Sequence, residues 1–447
     1  MKNLIRLLLI FLFCFINNAA FSNPIDRVIH NSGINKSAIS ISVKDTETGK
    51  VVYKLNDKRP SIPASTLKLI TYSASTETLG QAYNFSTKLY KNNSNELFLV
   101  LGADPFLKSS DLNRLFKSAK ENGITEPDNI YIDDSLIDNI EWGEGWQWDD
   151  NLNPLMPKFS SYNIDKNLLE IIVLATKTDE PALIKTSKHY PVTFMNMVKT
   201  GNDNNIKITC DSINSPNIIQ INGYVKNKIT KEIPVNNIKR YFLYRTEEAL
   251  KSAKITYYNK FQNKKANKIN LELIGEINHP LELTQKEILH NSNNMVAESL
   301  FKIAGAKFKN ETGTQENSIL MAYAYLDKLN LNRNDIKITD GSGVSKNNIV
   351  TADFMTEFLL KKSSDENFIN SIPAPGEGTL KNRMLYFKDN LHAKTGTLSD
   401  VSSIAGYITA RNGKKYVFDI LINEPKSKEN EKKLLEEHIL REIFILK

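Results

Sequence analysis

Residues 60–75 of the 447-residue chain are PSIPASTLKLITYSAS. Ser65 stands three residues before Lys68, behind Pro63, where an apolar run begins. A helix start keeps free backbone N–H groups, and its dipole favours negative charge. A spacing of three puts Lys68 one turn on, on the same face as Ser65. The plain alternative is a capped helix whose lysine points to water, and so short a pattern does not decide alone. A serine activated by lysine needs that lysine neutral, whereas an unperturbed lysine is charged at pH 7. Burial and a second nearby cation both lower its pKa. The reading therefore demands partners elsewhere, among them another basic residue.

Three short patterns supply candidates, and context sorts them. S-x-x-K recurs at Ser299/Lys302, but inside the helical run MVAESLFKIAG, where the serine N–H is consumed by the helix. K-T-G occurs at Lys199-Thr200-Gly201, which runs into the turn sequence NDNN, and at Lys394-Thr395-Gly396, which continues into a strand and hairpin. Gly396 on a strand lets another backbone come close, and Lys394 and Thr395 suit a substrate carboxylate. S-x-N begins at Ser161, Ser212, Ser215, Ser292 and Ser345, and only Ser292-Asn293-Asn294 falls in a break between two helical runs. Alone it reads equally as a helix cap. In the order S-x-x-K, S-x-N, K-T-G the three selected matches support one another.

The rest of the chain bounds the fold. Its length allows two or three domains, and 40% hydrophobic with 24% charged residues is a globular balance. MKNLIRLLLIFLFCFINNAAFS has the layout of a secretory signal peptide over residues 1–22. Its removal takes Lys2, Arg6 and Cys14, leaves 56 basic against 51 acidic residues, and keeps Cys210 as a lone, packed thiol. The charges are scattered, which leaves no nucleic-acid footprint. Residues 37–56 alternate as two strands around a Thr-Gly turn, and 64–80 form a helix stopped by Gly80. Residues 181–245 are mostly strand, rich in Asn and Lys. Helical runs return from Leu281, then strands, then a closing helix. The fold class is α+β, with the two ends forming one unit around inserted β-rich material. Trp142, Trp146 and Trp148 all fall in EWGEGWQWDD and pack locally. Neither H-E-x-x-H nor G-x-S-x-G occurs, so a zinc protease or α/β-hydrolase finds no support.

The three motifs, with LVLGADPFL, YIDDSLI, SNNMVAESLF, DGSGVSKNNIVT and PGEGTLKNRM, resemble the penicillin-binding D-alanyl-D-alanine carboxypeptidase/endopeptidase family, class C low-molecular-mass type (peptidase family S13). The resemblance implies a β-lactamase/transpeptidase-like domain, an antiparallel sheet covered by helices, at 23–82 and 281–447. It implies an inserted domain at 83–175 and 246–280 and a β-rich one at 176–245. It implies a periplasmic enzyme acting on peptidoglycan stem peptides, inhibited by β-lactam antibiotics, with neither cofactor nor metal. Carried onto this chain, Ser65 attacks the penultimate D-alanine carbonyl and Lys68 takes its proton. Ser292 and Asn294 relay protons and hold Lys68, and Lys394 is the second cation. Thr395 and Gly396 belong to the substrate-binding strand, and Ser65 and Thr397 N–H groups form the oxyanion hole. Asp133 holds the side-chain amine of the stem peptide's diamino acid. Lys346 stands where an arginine is common after GSG-x-S, and Ser399 follows KTGTL; both bear on that preference. Two rivals remain at this point, a serine β-lactamase and a non-catalytic peptidoglycan-binding protein of the same fold.

Overall fold

The computed structural model describes residues 23–446 apart from 189, 191, 212–214 and 216. The expected signal peptide and Cys14 lie outside the described residues. Two ends of the chain build one antiparallel sheet. β1 (Ile39–Asp45) and β2 (Val51–Leu55) come from the start, and β16 (Leu391–Leu398), β17 (Val401–Thr409) and β18 (Lys415–Asn423) from the end. The order is β16-β17-β18-β1-β2, with Ile41 opposite Ile420. α1 (Pro24–Asn31) and α8 (Glu429–Phe444) cover one face through Ile25, Ile29, Leu435 and Ile439. α2 (Lys68–Leu79), α5 (Asn294–Lys309), α6 (Gln315–Lys328) and α7 (Ala352–Lys361) cover the other. Both faces are therefore dry, which is why all of β1 is buried although its sequence alternates Ile and Ser. The serines find partners under the helices: Ser42 Oγ lies 2.8 Å from Thr356 Oγ1. The closing helix hides its apolar stripe on this sheet, and among the described residues no helix is long and apolar enough to cross a membrane.

Between the halves of this unit lies the inserted material. β3 (Asn84–Lys91), β4 (Glu96–Val100), β5 (Asn129–Asp133), β12 (Gln262–Asn263) and β13 (Glu272–Pro280) form a mixed five-stranded sheet ordered β12-β5-β4-β3-β13. α3 (Ser109–Glu121) and α4 (Ile238–Ser252) pack together and complete its core. Two three-stranded sheets follow. One is β11-β6-β7 (Lys228–Pro234, Leu168–Leu174 and Leu183–Thr186). The other is β8-β10-β9 (Thr193–Thr200, Ile218–Val225 and Lys207–Thr209), and β14 (Ile336–Lys337) pairs with β15 (Ile349–Val350) in a short ribbon of the unit built from the two chain ends.

The expected boundaries at 175/176 and 245/246 both cut through structure. β6 pairs with β7 and β11 across the first, and α4 runs through the second. Residues 238–252 are helical because Ile238, Tyr241, Phe242, Ala249 and Leu250 recur at helical spacing and bury one face. Cys210 is half-buried rather than packed in a core, and the Asn236 amide donates to its sulfur over 3.2 Å.

Candidate active site

Ser65 lies in a one-turn 3₁₀ segment (Ala64–Leu67) that leads into α2. Ala64 has φ +49°, a left-handed conformation unfavourable for a residue with a Cβ. Two neighbours hold it there. Gly343, at φ +80°, presses so closely on the Ala64 carbonyl that a side chain there would collide with it. Gly396 does the same from β16: a Cβ there would stand 2.7 Å from the Ser65 nitrogen. The serine hydroxyl is left half-exposed at the tip of the turn.

Lys68, fully buried, makes three contacts: Ser65 Oγ at 2.8 Å, Asn294 Oδ1 at 2.7 Å and the Ser342 carbonyl at 2.6 Å. The last two atoms only accept. A neutral amine has two hydrogens and one lone pair. If Asn294 and Ser342 take the hydrogens, the lone pair is aimed at the Ser65 hydroxyl. Burial pulls Lys68 down to about 7, against the opposite pull of the Asp340 and Glu298 carboxylates. An amine poised there is matched to a base working near neutrality.

Lys394 projects from β16 and is also fully buried. Its Nζ donates to Ser292 Oγ at 2.9 Å and to the Thr395 carbonyl at 2.8 Å. Burial, and then the neighbouring Lys68, hold it well below the usual lysine range. The sequence has both burial and a second cation lowering Lys68. In the structure burial lowers Lys68, and the mutual repulsion weighs on Lys394. The expected pairing also divides: Asn294 holds Lys68, whereas Ser292 holds Lys394.

The S-x-N segment is shaped by its own backbone. A π-helical turn (Lys286–His290) is capped by Asn291 and followed by Ser292 at φ +57°. Asn293 caps α5, accepting from the Val296 N–H, so the middle residue of the motif is the cap. Asn294 is oriented by its amide, which donates to the Leu155 carbonyl at 2.9 Å.

β16 is the edge of its sheet. The Ala393 N–H points outward to the Pro373 carbonyl, and strand alternation puts the Thr395 and Thr397 N–H groups on the same open side. Thr397 and Ser65 line one cleft of about 300 Å³, together with Asp150, Asn294, Lys346 and Ser399. Thr395 Oγ1 donates to Thr379 Oγ1 at 2.7 Å, a contact the sequence did not suggest.

Asp133 does not reach this cleft. Its carboxylate accepts from Ser135 N–H at 3.1 Å, Ser135 Oγ at 2.6 Å and Ala266 N–H at 2.9 Å. An aspartate at a strand end is easily captured by the turn that follows. Asp150, seventeen positions on in the same insertion, stands in the cleft instead. Lys346 bonds Asp400 at 2.9 Å and Ser399 at 3.4 Å beside it.

The rejected matches are structural. Ser299 accepts from the Asn163 amide at 2.9 Å, and Lys302 pairs with Asp138 and donates to the Ile140 carbonyl at 2.8 Å. Thr200 of the other K-T-G receives the Thr176 N–H at 2.8 Å. Trp142 and Trp146 pack edge to face, as expected, but Trp148 is 76% exposed. His392 bonds the Ile372 carbonyl at 3.1 Å, a structural role.

Comparison with known proteins bears on the fold and the family. A D-alanyl-D-alanine carboxypeptidase of Actinomadura sp. (strain R39) is 25% identical over 89% of this chain and 80% of its own length. A crystal structure of penicillin binding protein 4 (dacB) from Haemophilus influenzae superimposes with a TM-score of 0.83, at 21% identity, over 95% of this chain and all of that one. A second structure of that protein, complexed with a novel β-lactam, gives 0.77 at 20% identity over 94% and 99%. Residues 21–440 match the family model itself, and the chain belongs to the D-Ala-D-Ala carboxypeptidase 3 (S13) family.

Proposed function

We propose that Ser65 is the nucleophile with which this serine-type D-Ala-D-Ala carboxypeptidase cleaves peptidoglycan stem peptides, and that Lys68 is its base. The observation that carries this reading is the Lys68 amine, held by two acceptors so that its lone pair meets the Ser65 hydroxyl. As Ser65 Oγ bonds to the penultimate D-alanine carbonyl carbon, its proton passes to Lys68. The oxygen of the tetrahedral intermediate accepts from the N–H groups of Ser65 and Thr397, two residues that line the cleft. Collapse breaks the C–N bond, and the departing amine takes a proton from Lys68, near which lie Lys394 and its partner Ser292. Water then attacks the ester, again giving its proton to Lys68; collapse breaks the bond to Ser65 Oγ, which takes that proton back, and the shortened peptide leaves.

Recognition follows from the rim. The terminal carboxylate suits the Thr395–Thr397 edge, where it brings negative charge to the buried Lys394. Asp150, in place of Asp133, suits the amine of the diamino side chain. Action on cross-links, acylation by β-lactams and export through the first 22 residues belong to the same proposal. The complex of the Haemophilus influenzae protein with a β-lactam supports the second of these.

Mass spectrometry after labelling with a fluorescent penicillin tests the assignment, with the adduct expected on Ser65. Release of D-alanine by a Ser65→Ala variant would reject it. The lifetime of the adduct separates the rivals: loss within seconds marks a β-lactamase, persistence marks a peptidase.

A further inference from the structure

The charged groups beneath Lys68 have no place in the chemistry so far. Glu298 lies on α5, a helix buried on nearly every side from Asn294 to Ala306, and is itself fully buried. One carboxylate oxygen accepts the Ser342 N–H at 2.8 Å and the other the Gly341 N–H at 3.1 Å. The same two residues carry the carbonyls that face α2, the Ser342 carbonyl sharing its peptide with the Gly343 N–H. The Ser342 carbonyl accepts from Lys68 at 2.6 Å, and the Gly341 carbonyl accepts from Thr71 Oγ1 at 2.6 Å. Asp340 grips the same loop from the other end, accepting from Gly343 N–H at 2.7 Å, Ser345 N–H at 2.6 Å and the Asn348 amide at 2.7 Å. It also accepts the Trp146 indole N–H at 2.8 Å, so the inserted segment is fastened to this loop.

We infer that Glu298 is a positioning residue for the general base: by holding the backbone N–H groups of 341 and 342, while Asp340 holds that of 343, it fixes residue 342 so that its carbonyl takes one Lys68 hydrogen and leaves the lone pair on Ser65. The inference rests on the proposed role of Lys68. An apolar residue at 298 would leave two buried N–H groups unpaired, and the loop would turn to satisfy them. A carboxylate satisfies both, at the cost of burying a charge near the reacting amine. The charged groups facing Lys68 are Glu298 from α5, Asp340 from the loop and Lys394 from β16. Burial and the nearby Asp340 raise Glu298 to about 7, and Glu298 in turn draws Lys68 upward. Positioning and electrostatics are thus separable. Glutamine at 298 keeps the shape, loses one acceptor because its NH₂ meets an N–H, and removes the charge.

The test is the pH profile of acylation by a fluorescent penicillin, read on folded protein. For Glu298→Gln the expected result is acylation at least tenfold slower on the plateau, with the acid limb moved to lower pH. A purely structural role slows the reaction without moving the limb. Wild-type rate and wild-type limb in the variant would overturn the inference. Should the variant not fold, Glu298→Asp decides, because it keeps the charge and shortens the reach to the 341 and 342 N–H groups. Several-fold slower acylation is expected, and an unchanged rate overturns the inference. Wild-type protein in the same assay keeps the two claims apart: no adduct on Ser65 there would sink the proposed nucleophile, not merely Glu298.

Discussion

Replacing Gly396 by alanine asks how closely the K-T-G strand must approach the nucleophile. An added Cβ would stand 2.7 Å from the Ser65 nitrogen and 2.9 Å from the Ala64 Cβ, and would strike Ser403 Oγ. Ordinary contact begins at 3.4 Å, so the strand must retreat from Ser65 by about 0.7 Å. No neighbour yields easily. Two are fixed to the strained 64–65 backbone, and Ser403 is tied to the Pro63 carbonyl at 2.6 Å. β16 is an edge strand, so its displacement leaves the sheet core in place. The retreat carries the Thr397 N–H away from the oxyanion, where donors work only at about 2.7–3.1 Å. Losing one such donor costs about 10²–10³ in rate. The expected outcome is acylation by fluorescent penicillin slowed about 100-fold, with the melting temperature lowered by only a few degrees. The measurement is a labelling time course beside a thermal melt. Acylation within threefold of wild type, in a variant that melts normally, would refute the argument that this close approach builds the oxyanion hole.

Other perturbations have definite signs. Lys68, lowered to about 7, is protonated at acid pH, so acylation should fall about tenfold per unit as pH drops below that value; a rate flat from pH 5 to 8 excludes it as the base. Asp419 is buried in β18 with neither carboxylate oxygen in hydrogen-bond contact with any described residue, and burial drives its carboxyl well above the usual range, although the Ile420 N–H pulls the other way. Its native state holds a proton the unfolded state gives up, so this group's contribution is lost as pH rises above the ordinary carboxyl value. Asp419→Asn removes that titration and should therefore stabilise the protein more at pH 8 than at pH 4, in chemical denaturation. Asp150→Asn should raise KM for a peptide with a diamino side chain and leave penicillin acylation unchanged, whereas Asp133→Asn should lower stability without altering that KM.

What the sequence revealed divides by the range of the interaction. Ser65 and Lys68 share a helix face, so three residues of spacing suffice to join them. Asn294 and Lys394 were legible because their motifs follow S-x-x-K in a set order along the chain. Glu298 was legible only as a charge in an otherwise apolar helix, and Lys302 in the same run carries the same mark while serving an ion pair outside the cleft. Nothing in the local pattern separates the two; their partners at 340–342 and 138 do. Asp133 failed for the converse reason. A strand end followed by serine offers a nearby N–H and hydroxyl, and the turn claims the carboxylate before any ligand does. Helix α4 was hidden by its neighbours: a run of strands rich in Asn and Lys continued in the reading past Ile238, although the apolar residues there already repeat at helical spacing.

The distance between Ser65 and Ser292 along the chain is bridged by geometry rather than by contact strength. The insertion leaves the catalytic unit at β3 and returns at β13, and those two strands are paired, Asn84 opposite Pro280. Just beyond them the Leu281 N–H donates to the Tyr83 carbonyl at 3.0 Å. Seen from the catalytic unit, nearly two hundred residues enter and leave through the neck of a two-stranded ribbon. The entropy of closing so long a loop grows only with the logarithm of its length. Most of that cost is also met inside the insertion, by its own core around Leu89, Ile130 and Phe242. The insertion then reaches back at two points of the reactive network, Leu155 to Asn294 and Trp146 to Asp340. A module that could have hung free therefore touches the residues that hold Lys68 from both sides. Deleting 143–156 alone should loosen that lysine while the neck, and with it the catalytic sheet, stays closed.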